Sequence, residues 1–62
     1  MFCTIGEKKQ IIDFKGSVSD LLGLLNISDQ IVIVKKNGSI VTELEHVSDN
    51  DTVEIQQVVF GG

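Results

Sequence analysis

Residues 17–26 read SVSDLLGLLN, and the architecture of the chain turns on how this stretch folds. Val18, Leu21, Leu22 and Leu25 fall at i, i+3, i+4 and i+7, which draws one apolar stripe down a helix and matches no strand alternation. Ser17 stands where an N-cap is needed, and Asp20 follows three residues later in the position of a capping box. The carboxylate of Asp20 also suits the positive end of the helix dipole. Asn26 fits the left-handed residue that ends a helix, and Ile27 beyond it can supply the apolar contact that accompanies such a cap. The stretch therefore predicts a short amphipathic helix with one face committed to a core.

Working outward toward the N-terminus, Phe2 to Ile5 and Gln10 to Phe14 are β-prone runs. Gly6-Glu7-Lys8-Lys9 between them reads as a hairpin loop, which makes the two strands antiparallel. On the other side of the helix, IVIVKKNGSIV (residues 31–41) holds Asn37-Gly38, a strong hairpin signal, between Ile31–Lys36 and Ser39–Val41. Ile31 to Val34 are apolar without alternation, so this strand is expected to have both faces covered or sticky. A turn signal at Asp49-Asn50-Asp51 precedes TVEIQQVVF, a last strand in which Val53 and Ile55 should face the helix while Glu54 and Gln56 face solvent.

Two strands, a helix, two strands and a final strand make an α+β pattern, with one helix packed across one face of a mixed four- to five-stranded sheet. Parallel pairing of the first and last strands would bury both at the sheet centre, and the intervening chain is long enough for the crossover that such pairing requires. That arrangement is the β-grasp (ubiquitin-like) fold, expected here as a single domain over residues 1–62.

Composition narrows the function. The 62 residues are 42% hydrophobic, with no apolar run long enough to span a bilayer. No signal-peptide pattern is seen, and a cytoplasmic location is expected. Nine acidic side chains against five lysines, with no arginine, leave a net charge of −4. Such a surface disfavours nucleic acid, whose binding rests on phosphate neutralisation, and favours a protein partner. No membrane association is expected either, and the free protein is expected to be a monomer.

The helix signature SVSDLLGLLN, the segment IVIVKKNGSIV, the turn and strand SDNDTVEI and the terminal VVFGG together resemble the ThiS/MoaD family of sulfur-carrier proteins, relatives of ubiquitin. The likeness covers essentially the whole chain and looks closer to the ThiS side, although the Thr42–Ser48 segment is shorter than is common there. The resemblance implies that the carboxylate of Gly62 is adenylated by a ubiquitin-activating-type adenylyltransferase, which uses ATP, and is converted to a thiocarboxylate. It further implies a sulfur-accepting synthase as second partner: a thiazole synthase-like enzyme of thiamine biosynthesis first, with molybdopterin or tRNA as other acceptors. Conjugation to lysines as a protein modifier, or non-covalent docking of a β-grasp binding module, are the alternative readings.

On this reading Gly62 is the reacting residue, with Gly61, Phe60, Val59 and Val58 contacting the partner. The tail, about 59–62, is expected to be flexible. The chain is then a protein co-substrate rather than an enzyme, with no bound cofactor or metal. Glycine lacks Cβ, so two in succession can pass a narrow channel and take dihedrals closed to other residues. Against this stand plainer readings: terminal glycines as a frayed end, and Val58, Val59 and Phe60 as strand packing. Lys35 and Lys36 are expected to solvate a sheet edge, and Cys3 to be a small buried residue of the first strand. His46 lies among Glu43, Glu45, Asp49 and Asp51 at spacings that match neither a zinc site nor a calcium loop.

Overall fold

The structure is a computed structural model and describes residues 1–27 and 32–58. Its elements run β1 (Phe2–Ile5), β2 (Lys8–Ile11), β3 (Gly16–Ser17), α1 (Val18–Leu24), β4 (Val32–Lys36), β5 (Ser39–Val41), β6 (His46–Val47) and β7 (Thr52–Gln57). Five strands form one mixed sheet in the order β2-β1-β7-β4-β5, the β-grasp arrangement. β1 pairs with β7 in parallel at its centre, with Cys3 opposite Val53 and Ile5 opposite Ile55.

The helix forms as its local signals require. Ser17 is the N-cap, and its Oγ accepts the backbone N–H of Asp20 at 3.1 Å. At the other end Asn26 takes φ 58°. Its N–H reaches the Gly23 carbonyl at 3.1 Å, while the Ile27 N–H reaches the Leu22 carbonyl at 2.9 Å. That pair of bonds is a Schellman cap, which satisfies carbonyls otherwise left open at the helix end. Val18, Leu21 and Leu22 are buried, and Leu25 and Ile27 pack half-buried at the margin of the same core. Cys3, Val34, Val53 and Ile55 supply the sheet side of that core. Met1 and Val47 join it as well, although no periodic pattern marks them.

The first hairpin is tighter than its sequence suggests. Ile5 pairs with Lys8, so the turn is the two residues Gly6-Glu7 rather than the four from Gly6 to Lys9, and β2 begins two residues earlier than Gln10. Gly6 at φ 60° supplies the left-handed backbone such a turn needs. β2 also ends at Ile11 and not at Phe14. Ile12 still exchanges backbone bonds with Met1, each 3.0 Å, but in this register β1 offers no residue opposite Asp13 or Phe14, and the Phe14 N–H goes instead to the Asp49 carboxylate at 3.1 Å. The second hairpin is as expected: Asn37 and Gly38 both have positive φ, 52° and 88°, as a type I′ turn demands.

The β3–β6 bridge, with Gly16 opposite Val47 and Ser17 opposite His46, has no counterpart in the sequence pattern. Two backbone bonds extend it, from the Val18 N–H to the Glu45 carbonyl at 2.8 Å and from the Ser19 N–H to the Glu43 carbonyl at 3.0 Å. Residues 43–47 are thereby tied to the start of the helix. No helix among the described residues is long and apolar enough to cross a membrane.

Candidate functional site

The sheet has one face under α1 and one face open, and strand alternation assigns the side chains between them. In β7, Val53 and Ile55 are buried toward the helix, whereas Thr52, Glu54 and Gln56 are exposed on the open face. Register then maps the rest. Glu54 lies between Thr4 of β1 and Lys35 of β4, and this row continues to Lys9 on one side and Ile40 on the other. Nearer the end of β7, Ile33 stands opposite Gln56. At the opposite end, Phe2 stands between Ile11 and Thr52.

Four large apolar side chains therefore sit on the open face: Phe2 at 62% exposure, Ile11 at 74%, Ile33 at 40% and Ile40 at 72%. The polar side chains of β7 separate Phe2 and Ile11 from Ile33 and Ile40. The uninterrupted run Ile31–Val34 was expected to be covered or sticky on both faces. In the described part of it, Val34 is buried under the helix, Val32 is half-buried and Ile33 is exposed. The second face is open, so the apolar run reflects an uncovered surface. Ile33 and Ile40 were not singled out from the sequence; the break in alternation could have found Ile33, whereas Ile40 lies outside that run, in β5.

Of the tail residues singled out from the sequence, Val58 is half-buried and directly follows β7, whose last residue Gln57 pairs with Val32. Val59, Phe60, Gly61 and Gly62 lie outside the described residues, as does Ile31. β7 is the central strand, so it brings the chain to Val58 with neighbours on both sides, β1 and β4.

The expectation that Lys35 and Lys36 solvate a sheet edge is corrected by the topology, since β4 is interior between β7 and β5. Lys36 points to the helix side instead. Its Nζ donates to Glu45 Oε2 at 3.1 Å and to the His46 carbonyl at 2.8 Å, pinning residues 45–46 against the sheet. A neighbouring tie holds the second hairpin to the turn before β7. Asn37 Nδ2 donates to Asp51 Oδ1 at 3.0 Å, and Asn37 Oδ1 accepts the Thr52 N–H at 2.9 Å. The other oxygen of Asp51 accepts the Ser48 N–H at 2.8 Å. These bonds, that from Asn37 foremost, hold the Asp51 carboxyl below its ordinary range.

Cys3 is 1% exposed on the helix side of β1. Burial pushes its thiol pKa up, opposed more weakly by the nearby N-terminal ammonium, so the thiol stays protonated and shielded. His46 is exposed in β6, with its backbone paired to Ser17. Among the described residues no group of three or more His, Cys, Asp or Glu side chains is arranged to hold a metal ion.

What the described residues offer is thus a platform: an open sheet face, partly apolar, and a central strand leading to Val58. Comparison with known proteins identifies the platform. The model of the ThiS family matches residues 2–62. This chain belongs to the ThiS family. A solved structure agrees, the crystal structure of a thiamine biosynthesis protein (ThiS) from Geobacter metallireducens, with a TM-score of 0.67. It is 28% identical to this ThiS-family chain, and the correspondence covers 100% of both chains. No curated protein matches the chain significantly.

Proposed function

We propose that this ThiS-family protein is a sulfur carrier of thiamine biosynthesis that acts in the cytoplasm and holds its sulfur as a thiocarboxylate at Gly62. The observation that carries the reading is the family match, which runs through residue 62 and so includes the Gly61-Gly62 pair. The full-length likeness to a thiamine biosynthesis protein supports thiazole formation as the destination of the sulfur, ahead of molybdopterin or tRNA.

The chemistry follows from the carboxylate. As an acyl donor it is inert, because the leaving group would be oxide. A ubiquitin-activating-type partner joins it to the α-phosphate of ATP and releases pyrophosphate, giving an acyl adenylate. A sulfur nucleophile supplied by that partner then attacks the carbonyl carbon. AMP leaves with the electron pair of the broken C–O bond. If the nucleophile is hydrosulfide, loss of its proton leaves the thiocarboxylate. If it is a donor's persulfide, a second thiol attacks the donor sulfur of the resulting acyl disulfide, forms a disulfide with it and expels the thiocarboxylate. The thiocarboxylate sulfur is nucleophilic in turn and is passed to the accepting synthase. All of this chemistry takes place on the partners, so the carrier needs only to deliver its terminus.

Delivery has two parts. Four residues beyond Val58, fully extended, would span roughly 13 Å at about 3.3 Å each, a reach sufficient to carry the terminal carbon from the domain into a partner's pocket. The glycines admit a narrow passage because they carry no Cβ. The open sheet face around Ile33 and Ile40, beside the end of β7, is the docking surface in this reading. Phe60, buried in a partner groove, would add on the order of 1.5–3 kcal/mol.

The test is intact mass after incubation with an activating enzyme, ATP and a sulfur source. The wild-type chain is expected to gain the mass difference of one oxygen exchanged for sulfur. Cys3→Ser should gain it too, because the sulfur rides on the terminus and not on the thiol. Gly61→Ala should be strongly slowed, and a chain extended past Gly62 should not react, with circular dichroism showing both still folded. Thiocarboxylation of the untrimmed extended chain at the wild-type rate would overturn the proposal.

A further inference from the structure

No further inference is drawn: the strongest candidate, the exposed Phe2 and Ile11 corner at the far end of the open sheet face, shows nothing in the structure of what covers it.

Discussion

Leu22→Ala probes the helix register on which the whole fold depends. Leu22 is 2% exposed, with the equally buried Leu21 and Val18 beside it on α1 and Val34, Val53 and Ile55 among the core residues of the sheet. Truncation removes three buried carbons, about 2.4 kcal/mol of transfer free energy at about 0.8 kcal/mol each. The cavity left behind adds to that, and buried Leu→Ala changes cost roughly 2–5 kcal/mol in all. Total stability for 62 residues is about 3–9 kcal/mol at roughly 0.05–0.15 kcal/mol per residue. The substitution should therefore remove between about a quarter of the stability and all of it. Leu24 lies on the same helix two residues on and is 63% exposed, so Leu24→Ala should stay within about 0.5 kcal/mol of wild type. Urea unfolding followed by circular dichroism measures both. Equal losses for the two variants, or an unchanged midpoint for Leu22→Ala, would refute the assignment of the buried stripe.

Asn37 has two roles, a positive φ and the tie to Asp51 and Thr52, and they can be separated. Asn37→Gly keeps the turn and loses the tie, so it should cost about 1 kcal/mol, whereas Asn37→Ala loses both and should cost measurably more in the same urea experiment. Asp51 has a folded pKa below its ordinary value of 3.8, so its stabilising contribution is fully present above the unfolded pKa and is lost as pH falls through the folded one. Asp51→Asn should flatten the acid limb of a stability profile below about pH 4 while leaving its neutral part parallel to wild type; an unchanged acid slope would show that the hydrogen bonds of Asp51 do not persist in solution. Ile40→Asp, at a position 72% exposed, should leave the melting temperature nearly unchanged and weaken binding to the activating enzyme by about tenfold or more, the equivalent of about 1.4 kcal/mol. Unaltered binding in titration calorimetry would move the docking surface elsewhere.

Much of this protein was legible in short stretches, wherever the deciding interaction is local. Ser17, Asn26 and Ile27 cap a helix through bonds that span three to five residues, so their spacing alone reveals them. Asn37-Gly38 closes a hairpin because both residues tolerate positive φ, and the alternation of Val53 to Gln56 assigns β7 its two faces. The Gly61-Gly62 pair, on which the proposed carrier chemistry rests, is also read from adjacent residues, and it lies outside the described residues. Distant partners decided the rest. β2 stops short of Phe14 because its register against β1 leaves Asp13 and Phe14 without a strand partner, and the Phe14 N–H is met by a carboxylate 35 residues away that no local signal announces. Lys36, which reads as a surface cation, turns inward because Glu45 and the His46 carbonyl meet it there. Val47 is buried with no pattern around it, since a two-residue bridge to Gly16 and Ser17 carries it into the core. The apolar run ending at Val34 could not say which of its side chains stay in water. That depends on which face of the sheet the one helix covers, a choice made by the packing of α1 across β1, β7 and β4 rather than by any residue in the run.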